Sequence, residues 1–267
     1  MPFTFVSHQG AVLPLALQRR LRVDGVALAV GSSAPDLTFP LAGTPWYIWA
    51  HGVLAQFWFC LPVTLLLTWL IRRVVAAPVA AHLPTEGLRD YASLAVRRHP
   101  WWVSVWCALA GTWSHLIWDS ATHRWGWFVA RVGWLRSWVY HGGWLSPQVV
   151  SSVVGAAVSL AVLARLARTR ALHDPAAPRF PATAATRAAL CCWTAALGAA
   201  GGAVGGWWYL RTGLITALVP DTAAGLFAGV LAGSVHASRL VSKQAGAHAP
   251  LPGADPVPAL RGGRGSW

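Results

Sequence analysis

The sequence predicts an all-α membrane protein, a polytopic helical bundle of about five long spans preceded by a short N-terminal helical hairpin. Of its 267 residues, 55% are hydrophobic and only 11% are charged, whereas a soluble globular protein carries about 25% charged residues. The apolar residues fall into stretches long enough to cross a bilayer, which takes about 20 residues of helix. Most basic residues lie at the ends of those stretches, as topology signals do. Lipid is therefore the expected solvent for most of the chain.

The net charge of +13 also fits a nucleic-acid-binding protein, because a high content of Lys and Arg is typical of that class. Here the basic residues border apolar runs rather than forming a separate basic surface. We therefore expect membrane lipid as a partner and no nucleic acid.

The N-terminal hairpin is predicted from two apolar pieces, residues 11–17 and 23–30, which Arg19, Arg20 and Arg22 separate. Neither piece is long enough to cross a bilayer. Two short helices in a re-entrant or interfacial hairpin fit this pattern, provided that other protein surrounds their backbone ends.

Five longer apolar stretches follow, and each is predicted to span the membrane. The fourth is rich in Gly and Ala, which permits close helix packing in lipid. Beyond them, residues 243–267 are mostly Gly, Pro and Ala and predict a disordered tail, so the membrane domain is expected to cover 1–242. The predicted spans are 50–71, 101–122, 148–164, 188–209 and 215–238.

The orientation of the spans follows from the distribution of basic residues, because cytoplasmic loops carry an excess of Lys and Arg. Fourteen Lys and Arg residues lie in the segments 72–100, 165–187 and 239–267, and only four lie in the segments on the opposite side. The first three segments, and with them the C-terminus, are therefore expected in the cytoplasm. The loops 34–49 and 122–147 are expected to face out.

The second span contains three ionisable residues, His115, Asp119 and His123. Their spacing of four residues places them on one face of a helix, and ionisable residues inside an apolar segment are candidates for a function. The imidazoles and the carboxylate could share a divalent metal, as the helical HExxH pair does. Alternatively, a His–Asp hydrogen bond could satisfy two polar groups inside a bundle, and the spacing leaves both interpretations open.

The predicted topology brings further ligands to the same level. Asp119 and His123 reach the outer end of the second span, His51 begins the first span there, and Asp36 lies in the short outer loop before it. If the N-terminal hairpin enters the membrane and returns, His8 also lies on this side. Imidazoles together with carboxylates suit Zn²⁺ or another divalent ion with affinity for imidazole.

Several segments of the chain resemble a known family. MPFTFVSH, AVLPL, GSSAPD and HLIWDSATH are similar to a bacterial family of integral membrane proteins described as domain of unknown function 4184, over roughly residues 1–165. The order of the His and Asp residues also resembles that of membrane-bound metal-dependent hydrolases and, more distantly, of zinc-dependent phospholipase C. These resemblances imply a multi-pass protein of the bacterial inner membrane whose metal ligands are His8, Asp36, His51, His115, Asp119 and His123.

The phospholipase superfamily completes its site with a further HxxxE motif. This chain has none, since His141 is followed by Gly-Gly-Trp-Leu. One or two metal ions are therefore expected rather than three, with Zn²⁺ as the expected ion.

Two function classes remain. The first is a membrane-embedded metal-dependent hydrolase, a phosphoesterase that acts on a lipid-linked or interfacial substrate at the outer face, with Asp119 or Asp36 bridging metals or orienting the attacking water. The second is a non-catalytic membrane protein in which the His/Asp cluster is structural or takes part in metal- or proton-linked transport. The missing HxxxE favours the second class, and the number of aligned His and Asp residues favours the first.

Overall fold

The computed structural model describes residues 4–18, 22–212 and 218–247, and within these ranges the chain is helical and has no strand. The predicted all-α class is confirmed. The helices, numbered in chain order, are α1 (Thr4–Ser7), α2 (Gly25–Gly31), α3 (Gln56–Ala81), α4 (Glu86–Arg89), α5 (Trp101–Thr122), α6 (Trp127–Arg131), α7 (Gly133–His141), α8 (Pro147–Arg168), α9 (Ala184–Thr212) and α10 (Leu218–Ala247). Tighter 3₁₀ turns occupy His8–Ala11, Leu13–Leu17, Ala34–Leu41, Asp90–Ala95 and Gly143–Leu145.

Four helices in the described ranges are long and apolar enough to cross a membrane, namely α3, α8, α9 and α10. The second predicted span, α5, is a helix with the predicted bounds, Trp101–Thr122. It is not among the four by composition, because its Trp, Ser, Thr, His and Asp residues lower its mean hydropathy. These polar residues supply the side chains of the site described below.

The first span differs from its predicted bounds of 50–71, since α3 runs from Gln56 to Ala81. The side chain of Gln56 is fully buried and donates to the carbonyl oxygens of Ala50 (2.8 Å) and Gly52 (2.9 Å), which holds the preceding segment in a non-helical path. At its other end α3 continues through a widened π turn, Ile71–Val75. Arg72 and Arg73, predicted to end the span, therefore lie inside the helix.

The two ends of the chain also differ in part from the prediction. Residues 243–247, assigned from the sequence to the disordered tail, continue helix α10, and 248–267 lie outside the described residues. At the N-terminus the apolar piece 11–17 forms 3₁₀ turns and the piece 23–30 contains α2, while Arg19 and Arg20 lie outside the described residues.

Close backbone contacts position the N-terminal segment and α2. A Cβ atom on Gly111 of α5 would lie 2.5 Å from the carbonyl oxygen of Leu28 in α2, so this pair of helices can approach only because the residue is glycine. Similarly, a Cβ atom on Gly155 of α8 would lie 2.3 Å from the carbonyl oxygen of Ser7. The hydroxyl of Ser159, one turn further along α8, donates to the carbonyl oxygen of Val6 at 2.8 Å.

Helices α9 and α10 form a closely packed pair. A Cβ atom on Gly201 would lie 2.2 Å from the carbonyl oxygen of Asp221, and one on Gly225 would lie 2.2 Å from that of Leu197. Small residues that let two backbones touch are the usual means of helix association in lipid. The Gly/Ala-rich composition of the fourth span predicted this contact.

Candidate metal centre

The six sequence-predicted ligands lie together and are buried, none with more than 9% of its surface exposed. We call them the His/Asp cluster. The carboxylate of Asp119 has an oxygen within 3.5 Å of a ring nitrogen of each of four imidazoles, and that of Asp36 has one within 3.4 Å of two. The members are His8, Asp36, His51, His115, Asp119 and His123.

His115 lies at the middle of the cluster and is held by the backbone of α2. Its Nδ1 lies 2.8 Å from the carbonyl oxygen of Ser32, and because a carbonyl only accepts, Nδ1 carries the proton. The other nitrogen, Nε2, is then unprotonated in the neutral ring. Nε2 lies 3.4 Å from Asp36 Oδ1, 3.3 Å from Asp119 Oδ2 and 3.4 Å from Nε2 of His51. The contact between Gly111 and Leu28, one turn away on both helices, sets this geometry.

The sequence predicted His51 in the first turn of a span. It lies instead in the non-helical segment before α3. The side chain of Gln56 donates to the carbonyl oxygens of Ala50 and Gly52, the residues on either side of His51. These two hydrogen bonds fix the backbone at this histidine. Its Nε2 lies 3.3 Å from Asp36 Oδ1 and 3.5 Å from Asp119 Oδ2. His51 therefore reaches the same atoms as His115 from a different element.

His8 reaches the cluster from the N-terminal segment that packs on α8. Its ring stacks on the ring of His115 with centroids 3.9 Å apart, and its Nε2 lies 3.4 Å from Asp119 Oδ1. Burial lowers the pKa of His8 to about 4. His8 is therefore neutral at physiological pH and offers a lone pair, which is the form that binds metals.

Asp36 and His123 complete the cluster. Asp36 lies in the first turn of the 3₁₀ segment Ala34–Leu41 and is 1% exposed. His123 follows the last residue of α5, and its Nδ1 lies 3.2 Å from Asp119 Oδ1 and 3.0 Å from the hydroxyl of Thr122. The i, i+4 spacing thus brings His115 of α5 and His123, the residue just after it, to Asp119.

The donor set suits a divalent ion. Two groups each offer three ligand atoms within 4.8 Å of one another, His8–His115–Asp119 and Asp36–His51–His115. Five buried atoms of the cluster have no hydrogen-bond partner in the described structure, and a buried polar atom without one is costly unless an ion or water satisfies it. These atoms are His8 Nδ1, Asp36 Oδ2, His51 Nδ1, Asp119 Oδ1 and His123 Nε2.

The family of the chain can now be stated. The model of the family described as domain of unknown function (DUF4184) matches residues 1–239. The chain belongs to this family. No curated protein and no solved structure matches the chain, so the similarity to metal-dependent hydrolases remains an expectation from the order of the His and Asp residues.

Aromatic side chains cover the cluster of this DUF4184 protein. The ring of Trp125 packs edge-on against His51 at 5.5 Å between centroids and lies 5.2 Å from His123. The ring of Trp49 lies 5.5 Å from that of His51 and 6.1 Å from that of Trp125. Both indoles are more than half exposed, so they separate the cluster from the outside of the molecule.

Two other histidines lie outside the cluster. His141 is exposed and pairs with the carbonyl oxygen of Ser137, and His236 accepts a hydrogen bond from the indole of Trp193. Sequence reasoning missed Gln56, although a polar residue inside an apolar run is a recognisable sign. It also missed the carbonyl of Ser32, for which no side-chain pattern exists.

Proposed function

We propose that this protein binds one or two divalent metal ions, Zn²⁺ being the expected ion, at the His/Asp cluster and is a membrane-embedded hydrolase of a lipid-linked or interfacial phosphoester. The observation that carries the proposal is the arrangement of His115. Its Nδ1 donates to the carbonyl oxygen of Ser32, and its Nε2 faces both carboxylates and Nε2 of His51, where it would offer a lone pair to a bound ion. A partner on the far ring nitrogen that fixes the tautomer is typical of metal-binding histidines.

Charge supports a cation at the cluster. Asp36 and Asp119 bring two negative charges into a buried region, and isolated buried carboxylates are costly. Neutral imidazoles with one divalent ion balance these charges. Two unprotonated ring nitrogens 3.4 Å apart repel each other without a shared proton or cation, whereas two ligands of one ion lie at about this distance.

A bound divalent ion would lower the pKa of a water molecule and polarise a phosphoryl oxygen. The chain's own residues have distinct roles beside it. Asp36 Oδ2, which has no hydrogen-bond partner among the described residues, would accept the proton of the attacking water. Asp119 would orient the imidazoles that contact it. Arg124, exposed next to His123 and packed over the Tyr140 ring at 5.1 Å, would attract the substrate phosphate.

Metal content tests the first part of the proposal. The full chain, purified in detergent without chelator, should contain about one or two divalent ions per chain by elemental analysis. The double variant His115→Ala/Asp119→Ala should contain less than about a tenth of this amount, with helical content and elution volume checked for folding. His141→Ala removes an exposed histidine and should retain the metal. An unchanged metal content in the double variant, or a metal-free wild type, would refute the metal site.

Phosphate release tests the second part. Wild-type protein in micelles containing a lipid phosphomonoester, such as phosphatidic acid, should release phosphate by hydrolysis of the ester bond, and a chelator should stop the reaction until a divalent ion is restored. Asp36→Asn keeps one ligand oxygen and removes the basic carboxylate, so at a divalent ion concentration that loads the variant it should lose about 100-fold in kcat if Asp36 is the base.

The second candidate is a non-catalytic metal-binding or structural cluster, and the closure of the site favours it. The ligand residues are at most 9% exposed and lie beneath Trp49 and Trp125. A metal-loaded protein that hydrolyses neither lipid phosphomonoesters nor phosphodiesters would support this candidate over the hydrolase.

We also propose that the cluster lies toward the outer face of a bacterial inner membrane and that the C-terminus is cytoplasmic, from the distribution of basic residues. Reporter fusions after residue 247 and within 122–147 test this orientation. A tail reporter that is active only outside the cytoplasm would reverse it.

A further inference from the structure

A second polar site lies at the other end of α5, where the molecule has a cavity of about 400 Å³. Helix α3 forms one wall, and the start of α5 with the segment before it forms the other. Ser104, which faces this cavity, precedes His115 by eleven residues, so the two sites are about 16 Å apart along the helix. We call this site the arginine pocket, after the arginines among the ionisable residues that line it: Asp24, Arg72, Arg73, Arg97, Arg98 and His99.

The single carboxylate of the arginine pocket is already engaged. Asp24 is 1% exposed and lies 2.7 Å from Nη2 of Arg72, and it accepts hydrogen bonds from the hydroxyl of Ser104 (2.6 Å) and from the backbone N–H groups of Val26 and Ala27. Asp24 therefore neutralises Arg72 and has no remaining capacity for another cation.

The other guanidinium groups have no such partner. Arg73, Arg97 and Arg98 form no ion pair with a carboxylate in the described part of the chain. The buried Nε of Arg97 also has no hydrogen-bond partner there. Three uncompensated positive charges around one cavity make it a site for an anion, and the guanidinium fork matches the oxygens of a phosphate group.

The pocket wall is held in place independently of a ligand. Nη1 of Arg72 donates to the carbonyl oxygens of Leu94 (3.2 Å) and Arg97. This ties the segment before α5 to the π turn of α3, and widened turns of this kind often occur at functional sites. The arrangement is a preformed cavity rather than a row of independent surface charges.

The surroundings of the cavity are apolar. Trp69 of α3 and Trp101 of α5 both line it, and both are more than half exposed on the surface of helices proposed to lie in lipid. Tryptophan at this level is typical of the headgroup region. A ligand here has a negatively charged head at the arginines and apolar chains along the indoles.

We propose that the arginine pocket binds the phosphate group of an anionic phospholipid. Basic pockets between membrane helices recognise such headgroups in general. The basic residues at this end therefore form a lipid site in addition to setting topology.

The test uses the purified full chain and phosphatidylglycerol, with phosphatidylcholine as the zwitterionic comparison. Arg73→Gln/Arg98→Gln removes two exposed guanidinium groups that make no hydrogen bond in the described structure, so folding should be preserved. The matched control, Arg165→Gln/Arg168→Gln, removes the same charge from the exposed end of α8. Native mass spectrometry and titration into mixed micelles measure lipid retention and affinity.

Wild type and control should bind phosphatidylglycerol about tenfold more tightly than the pocket variant, and phosphatidylcholine should bind weakly to all three. Equal affinity of the pocket variant and wild type would overturn the proposal. An equal loss in the control would overturn it too, since bulk charge would then explain binding. Inorganic phosphate that displaces the lipid at equal concentration would show that the pocket takes free phosphate instead.

Discussion

The two polar sites at the ends of α5 differ in how completely their charges are paired. In the His/Asp cluster every ionisable group is buried and lies within 3.5 Å of an opposite or complementary group. In the arginine pocket only Asp24 and Arg72 are paired in this way, and the other guanidinium groups surround an open cavity. The two carboxylates of the cluster favour a cation, whereas the unpaired arginines of the pocket favour an anion. One helix thus connects two sites with opposite ligand preference.

The largest expected effect is at the pair that anchors the arginine pocket. Asp24→Ala leaves Arg72, whose side chain is 14% exposed, without its carboxylate, and breaking a buried ion pair costs about 3–5 kcal/mol. We expect a loss of this size in the free energy of unfolding, measured by denaturant titration in micelles, with the metal content of the folded fraction unchanged.

Asp174→Ala is the matched control, because that carboxylate makes one hydrogen bond, to the backbone of Ala176, worth about 1 kcal/mol. If both variants lose the same amount of free energy of unfolding, the ion pair of Asp24 and Arg72 does not anchor the arginine pocket. If Asp24→Ala also abolishes metal binding, the two ends are not independent.

A smaller effect is expected at the glycine that sets the cluster. Gly111→Ala places a methyl group against the backbone of Leu28, and such overpacking costs about 1–3 kcal/mol. The helices must separate, which moves the carbonyl of Ser32 away from His115, so metal affinity should fall while phosphatidylglycerol binding persists. Competition with a chelator of known affinity measures the change.

Gly206→Ala serves as the control for this substitution. A Cβ atom there meets nothing within 4 Å, so the gain in helix propensity should leave stability equal or raise it by up to about 1 kcal/mol. Should Gly111→Ala keep the wild-type metal affinity, the Ser32 contact does not control the cluster.

The smallest effect is expected from removal of residues 248–267. Both sites are formed by residues before 124, and the removed sequence offers few apolar residues for packing. Stability should stay within about 0.5 kcal/mol of the full chain, and metal content and lipid affinity should be unchanged. A clear drop in any of the three would show that the tail packs on the membrane domain.

The sequence predicted the part of the cluster that depends on local geometry. His115, Asp119 and His123 meet because helical periodicity alone places them on one face. Positions that depend on tertiary contacts differ from the prediction. His51 was expected in the first turn of a span, but the side chain of Gln56 keeps its segment non-helical, and no periodicity encodes that capping.

The arginine pocket was not predicted, although its residues were all visible in the sequence. Arg72 and Arg73 were interpreted as the end of a span because basic residues usually mark one. The partner of Arg72 is Asp24, which belongs to the N-terminal piece, and a pairing across so much sequence has no local signature. The same limit applies to Gly155, whose contact with Ser7 positions the N-terminal segment.

That contact has a consequence for the order in which the protein is made. His8 is held against α8 by Gly155 and Ser159, so a nascent chain that has inserted α3 and α5 has five of the six ligand residues but nothing to fix the sixth. The site is complete only when α8 packs against the N-terminal segment, and an ion held by His8 and Asp119 would then join residues about 110 positions apart in the chain. Closing a loop of this length costs on the order of 4 kcal/mol of chain entropy, which the packing of α8 and the bound ion would offset together. We therefore expect a chain truncated before α8 to bind metal more weakly than the full chain.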